Sequence, residues 1–238
     1  MSAQGKADSL AALMTARLNP DLLHRPGLAA YRLSRALALS RIGSWHSYAV
    51  IATPRAGMPA MPKGYSYRIA AHMGEFEAVA GVAGVDLAVA QRRLDDGCVC
   101  LIASRGAAPV GVTWISLKPV REDEIAALYD CGGRAAWDLG LHIAPEHRAS
   151  RAFAALWAAT GDWLDMHGLA WSLSRIALYN AASLRAHARL DAQLVGRVQA
   201  LQIGRLQWLR ATIGGQTTLH LSGIARPPKL ALAAAIKV

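Results

Sequence analysis

From residue 65 onward, apolar and polar positions fall into short blocks whose period changes, and the changes predict the elements. Residues 65–70 (YSYRIA) predict a first strand. Residues 75–94 predict a helix in two pieces, broken around Gly81 and Gly84. A turn at 95–97 leads to a second strand at 98–104 (CVCLIAS), and a hairpin turn at 105–108 to a third at 110–117 (VGVTWISL). Residues 135–144 (AAWDLGLHIA) predict a fourth strand ending at Pro145. A strongly apolar helix is expected over 149–167, stopping at Gly168. A fifth strand (171–179), a short helix (181–190) and late strands at 195–203 and 207–212 complete the pattern, with no internal repeat.

The first 63 residues read differently. Residues 1–26 predict one or two short helices, interrupted at Pro20 and closed at Pro26. Residues 27–42 predict a better one, with Arg25, Arg32 and Arg35 on one side of a 3.6-residue period. Such a basic amphipathic helix suits an ordinary surface and also a lipid surface. Residues 47–53 (SYAVIAT) predict a strand, and Pro54, Pro59 and Pro62 punctuate a linker. The expected organisation is therefore a basic helical N-terminal extension with linker (1–63), a core domain (64–212) and a basic C-terminal tail (213–238).

Composition narrows the function classes. The chain of 238 residues is 53% hydrophobic and 18% charged, which excludes wholesale disorder. No stretch has the ~18 consecutive apolar residues of a membrane span, and the first residues do not read as a signal peptide. Cys98 and Cys100 share one strand face and Cys131 stands alone, so neither a disulfide scaffold nor a zinc site is expected, and a cytoplasmic location fits. The net charge of +10 is uneven: +6 over 1–63, −2 over 64–191 and +6 over 192–238. A near-neutral middle is unlike a specific nucleic-acid module. The basic ends suit an anionic membrane surface, which would place the protein peripherally at the inner membrane, or an acidic carrier protein, or loose attraction to RNA; plain solubility also explains them. No Walker loop, nucleophile elbow or H-E-x-x-H is present. Gly81 and Gly84 (GVAG) do not follow a strand and do not form a dinucleotide loop.

Three segments share an order and spacing. Residues 143–148 (IAPEHR) close the fourth strand, the long helix opens directly afterwards, and residues 180–190 (NAASLRAHARL) carry the short helix. In this arrangement the chain from Gly64 to about Thr212 resembles the GNAT superfamily of acyl-CoA N-acyltransferases. The resemblance implies a mixed α/β fold with a central, mostly antiparallel twisted sheet flanked by helices. It also implies transfer of an acyl group from a thioester, acyl-CoA as co-substrate or an acyl carrier protein, to an amine acceptor without a metal. A longer acyl chain placed on a lipid precursor at the membrane, and a non-catalytic GNAT-like binding module, are the alternatives.

A strand end that opens a helix presents backbone N–H groups and the positive end of the dipole, which suits a pyrophosphate. Arg148, Ser150 and Arg151 add side-chain donors there. By position in the family motif, Ile143, Ala144, Arg148, Ala149, Ser150, Arg151, Ala152, Phe153 and Asn180 would bind the donor. Arg151 and Phe153 stand where the motif has glycines. Strand alternation puts Asp138, Gly140 and His142 on one face and Trp137, Leu139, Leu141 and Ile143 on the other. Asp138 or His142 could take the amine proton. The resemblance gives His187 the role of protonating the leaving thiolate, which an imidazolium can do near neutral pH. Glu122, Asp123 and Glu124 read as a solvated loop able to attract a cationic acceptor.

Overall fold

The computed structural model describes residues 18–236 apart from 40–42, 71, 78, 80, 81, 83, 85 and 149. In chain order the elements are α1 (Pro20–Leu39), β1 (Ser44–Pro54), β2 (Tyr65–Ala70), α2 (Met73–Glu77), α3 (Leu87–Asp95), β3 (Val99–Arg105), β4 (Ala108–Ser116), β5 (Val120–Arg121), β6 (Leu128–Asp130) and β7 (Ala136–Ile143), followed by α4 (Ala152–Met166), β8 (Trp171–Ala177), α5 (Ala181–Ala188), β9 (Gln193–Ile203), β10 (Leu206–Ile213), β11 (Gln216–Gly223) and β12 (Lys229–Ala231). The expected strands and helices from residue 65 to 213 are all present within a few residues. Four strands were not anticipated: β5 and β6, and β11 and β12 within the basic stretch 213–238. The described residues form two compact units, one of those up to residue 53 with 121–130 and those from 173 onward, the other of those in 54–120 and 131–172.

In the first unit the strands lie in the order β11, β10, β9, β1, β8. β9, β10 and β11 form an antiparallel meander, and β1 pairs antiparallel with β9, Tyr48 opposite Val198. β1 is buried without interruption from residue 47 to residue 53, as suits a strand with neighbours on both sides. α1 runs through Pro26, where a helix stop was expected; proline removes one backbone donor from the helix, and Leu18 and Leu23 still bury themselves against Ala49, Ile51, Ile176 and Leu184. The 1–17 part of the expected N-terminal helices lies outside the described residues. β12 lies parallel to β6, where Lys229 reaches Asp130 at 2.6 Å.

In the second unit the order is β7, β4, β3, β2, all antiparallel. α4 buries Ala152, Ala155 and Leu156 against Ala103 and Val110, with Leu141 and Ile143 of β7 packed on the same cluster. The first turn of α3 is held by Asp86, whose side chain accepts the Val89 N–H at 2.7 Å. Trp114 of β4 meets Phe76 of α2, ring centroids 5.3 Å apart, and the Arg93 guanidinium of α3 at 5.4 Å. Among the described residues no helix is long and apolar enough to cross a membrane.

Candidate functional site

β7 does not keep the simple alternation expected of it. Asp138 lies opposite Ile115 and Gly140 opposite Trp114, so Leu139 is an extra residue and the strand carries a β-bulge. Beyond it, Leu141 faces Thr113 and His142 faces Val112. Asp138 therefore shares its face with Leu141, while His142 lies on the opposite face, contrary to the alternation read from the sequence. Asp138 holds the bulge together: its Oδ1 accepts the Thr113 hydroxyl at 3.1 Å and the Gly140 N–H at 2.9 Å. Burial pushes its carboxyl up to about 6, partly offset by those two bonds and by Arg93. His142 is half-buried, and its ring lies so close to the backbone of Gly84 that a Cβ there would collide with it.

The strand end leads into a 3₁₀ turn at Pro145–His147, and α4 opens only at Ala152, three residues later than expected. The Ala144 N–H is taken by the Val110 carbonyl at 3.0 Å. Antiparallel alternation then directs the Ile143 N–H toward the other edge of β7. Ser150 is not a spare donor: its hydroxyl donates to the His147 carbonyl at 2.6 Å and accepts the Ala152 N–H at 3.2 Å, which caps the helix start. Arg148 and Arg151 are exposed, Arg148 Nε reaching the Ile143 carbonyl at 3.4 Å. Phe153 leans against Trp157 one turn on, centroids 6.2 Å apart. Ala149 lies outside the described residues.

Asn180 and His187 belong to the first unit. Asn180 is the N-cap of α5, accepting the Ser183 N–H at 3.1 Å. His187 is buried, and its Nδ1 donates to the Ser183 carbonyl at 2.8 Å. Burial lowers its pKa, which favours the neutral ring, and the bond to the Ser183 carbonyl places a proton on Nδ1. The expected role of general acid needs a proton on Nε2 as well.

The first unit also gathers a cluster that sequence reasoning missed. Arg175 of β8 grips Glu122 with two bonds, Nε at 2.8 Å and Nη2 at 2.6 Å, and reaches Glu124 at 2.9 Å. The Glu122 side chain is only 7% exposed, so the acidic run is not simply a solvated loop. The Arg175 guanidinium lies 4.3 Å from the Tyr48 ring centroid, and the Tyr48 hydroxyl donates to Glu124 at 2.5 Å. Tyr48 also meets His46 Nδ1 at 2.9 Å, and His46 Nε2 meets Ser44 Oγ at 3.0 Å. A cavity of about 110 Å³ opens on this chain, lined by Tyr31, Trp45, His46, Tyr48, Glu124 and Tyr179 among others. The signal in the sequence was the period-2 row Ser44, His46, Tyr48 on one face of β1. Among the described residues no group of acidic, His and Cys side chains is arranged to hold a metal.

No protein-family model matches the chain, and no curated protein matches it. Solved structures do. A conserved protein of unknown function from Staphylococcus epidermidis matches at 10% identity with a TM-score of 0.50, over 71% of this chain and 64% of its own. A GCN5-related N-acetyltransferase from Kribbella flavida matches at 17% identity and TM-score 0.47, over 71% and 63%. A tandem GNAT protein from the clavulanic acid biosynthesis pathway matches at 17% and TM-score 0.48, over 71% and 57%. The chain thus spans less than two thirds of the length of each. At 10% identity the Staphylococcus epidermidis protein shares fold alone with this chain, a mixed α/β fold whose large sheet is mostly antiparallel.

Proposed function

We propose that the chain is an acyltransferase that passes an acyl group from a thioester donor, acyl-CoA, to an amine. The observation that carries this reading is the end of β7. There the Ile143 N–H, turned away from β4, a 3₁₀ turn and two exposed guanidiniums, Arg148 and Arg151, follow one another at the start of α4. Charge-assisted bonds from guanidiniums suit the donor's phosphates, and a backbone N–H suits a thioester carbonyl as it gains negative charge. The sequence resemblance of residues 143–148 and 180–190 supports the same reading. In the step itself the amine attacks the carbonyl directly: a C–N bond forms, the C–S bond breaks, the nitrogen loses a proton and the thiolate gains one.

The test is thermal unfolding of the full chain with acetyl-CoA and longer acyl-CoAs, paired with colorimetric detection of released thiol in the presence of primary amines. A donor at 100 times its Kd raises stability by about 2.7 kcal/mol. A chain whose melting is indifferent to every acyl-CoA is not this enzyme.

A further inference from the structure

The hydrogen bonds around the cavity of the first unit have a fixed direction, and counting their protons shows what the cavity is built to do. Gln207 sets the direction: its Oε1 accepts the Ala126 N–H and its Nε2 donates to the Ala126 carbonyl, both at 2.8 Å. Gln202 Nε2 donates to Gln207 Oε1 at 3.0 Å, which turns Gln202 Oε1 toward Ser44. Ser44 Oγ must therefore donate to it, at 3.0 Å. A hydroxyl has one hydrogen, so the contact between Ser44 and His46 is made by a proton on His46 Nε2. At the other end, the single Tyr48 hydrogen lies between two acceptors, Glu124 Oε2 at 2.5 Å and His46 Nδ1 at 2.9 Å. With His46 neutral, the chain is one proton short. With His46 doubly protonated every bond closes: Nδ1–H to the Tyr48 oxygen, and Tyr48 O–H to Glu124.

Burial lowers the pKa of His46 against the pull of Glu124, which favours the neutral ring and with it the chain that is short of a proton. The charged groups that act on it are Glu124, Arg175 and Glu122. Two carboxylates against one guanidinium leave one negative charge beside a cavity walled by Tyr31, Trp45, Tyr48 and Tyr179. Aromatic faces with a net negative charge suit an organic cation.

We infer that this cavity receives the ammonium of a primary amine, the acyl acceptor, against Glu124 and the Tyr48 oxygen, and that the chain stores the proton that the ammonium gives up before its nitrogen can attack. As that nitrogen–hydrogen bond breaks, the Tyr48 oxygen takes the proton and the phenol's own proton passes to His46 Nδ1. An imidazolium and a neutral amine remain, and Glu124 stays ionised; the amine then attacks the thioester, and the second proton it loses on acylation is matched by the one the leaving thiolate gains. The inference rests on the acyl-transfer reading for the reaction, but the ammonium site itself is tested without it.

An ammonium in the cavity and an imidazolium at His46 compete, because both place positive charge on one chain. Ring ¹H–¹⁵N spectra of the full chain, with His46 assigned through His46→Gln, give its titration midpoint alone and with saturating tyramine, putrescine or glucosamine. The expected result for at least one of these amines is a midpoint at least half a pH unit lower. Reciprocity requires the affinity of that amine to fall about threefold once His46 is protonated. Glu124→Gln should weaken its binding at least tenfold. Tyr48→Phe should lower kcat for acyl transfer at least tenfold while changing the amine Kd less than threefold. If Tyr48→Phe does not fold, Glu124→Gln and the midpoint decide. An unmoved midpoint with all three amines overturns the inference, even where acyl transfer is observed. A shifted midpoint in a chain that binds no acyl-CoA upholds the ammonium site and removes the acyl-transfer reading instead.

Discussion

Asp138 Oδ1 accepts the backbone N–H of Gly140, two residues further along the same strand, and with that bond it closes the β7 bulge. The same oxygen accepts the Thr113 hydroxyl, so one atom makes both contacts. An asparagine can offer that oxygen unchanged. The carboxyl is pushed up to about 6 by burial. A group whose pKa is raised in the folded state stabilises the fold below its unfolded value and loses that contribution as pH rises through the folded one. Asp138→Asn removes the buried charge and keeps the bonds. It should therefore be more stable than the parent at pH 8 by about 1–3 kcal/mol, with the difference vanishing below about pH 4. Urea unfolding at the two pH values measures this. An asparagine variant that is less stable at pH 8 would mean that the charge itself supports the strand.

The bulge also shows what a sequence can and cannot reveal. The run 135–144 reads correctly as a strand, because its apolar content survives an extra residue. Its facing does not, because the bulge is created by pairing with β4 and reverses every later position. β11 was legible in principle: Leu219 and Leu221 alternate with Thr218 and His220 after a Gly214-Gly215 turn with positive φ at both residues, but its charge and polarity read as a tail. The cavity was legible only in the row Ser44, His46, Tyr48. Tyr48, Glu124 and the stretch from Arg175 to Tyr179 come from three separate segments, and an acidic run looks solvated until folding brings an arginine to it.

The Arg175–Glu122 pair should behave as a buried ion pair. Arg175→Met leaves Glu122 charged and enclosed, and should cost about 3–5 kcal/mol in denaturant unfolding. Arg175→Met combined with Glu122→Leu should recover most of that loss, since the uncompensated charge is gone. A double variant as unstable as the single one would show that the guanidinium is needed for its packing on Tyr48.

Gly84 has φ +67°, and a Cβ there would run into the His142 ring. Gly133 has φ +71° with nothing within 4 Å of a Cβ. Both alanine variants pay for a left-handed backbone, about 1 kcal/mol. Only Gly84→Ala must also displace His142, so it should be the less stable of the two by at least about 1 kcal/mol and should move the His142 ring resonances. Equal losses would show that the His142 contact is easily yielded.

His187 predicts a pH slope opposite to that of Asp138. Its pKa is lowered by burial, so its contribution is present above the unfolded value and is lost as pH falls through the folded one. Stability should therefore drop as pH falls from about 6.5, the unperturbed histidine value, and the drop should be smaller in His187→Gln. If the variant keeps the full acid slope and instead loses kcat alone, His187 is acting on the leaving thiolate after all.

Arg148 tests the donor site most directly. It is exposed at the end of the 3₁₀ turn, with its Nε against the Ile143 carbonyl, whereas Arg134 is exposed in the turn ahead of β7. A charge-assisted hydrogen bond contributes about 1.5–3 kcal/mol, which is roughly ten- to a hundredfold in affinity. Arg148→Ala should raise the Kd for CoA at least tenfold, and Arg134→Ala less than threefold. Pantetheine carries the same thiol arm without phosphates, so its weaker binding should be indifferent to Arg148→Ala. That comparison separates recognition from damage: a variant that merely loosened the turn would lose affinity for both molecules alike. Calorimetric titration of the two variants with CoA and with pantetheine gives all four values. Equal CoA affinities for Arg148→Ala and Arg134→Ala would remove the phosphate contact from the start of α4.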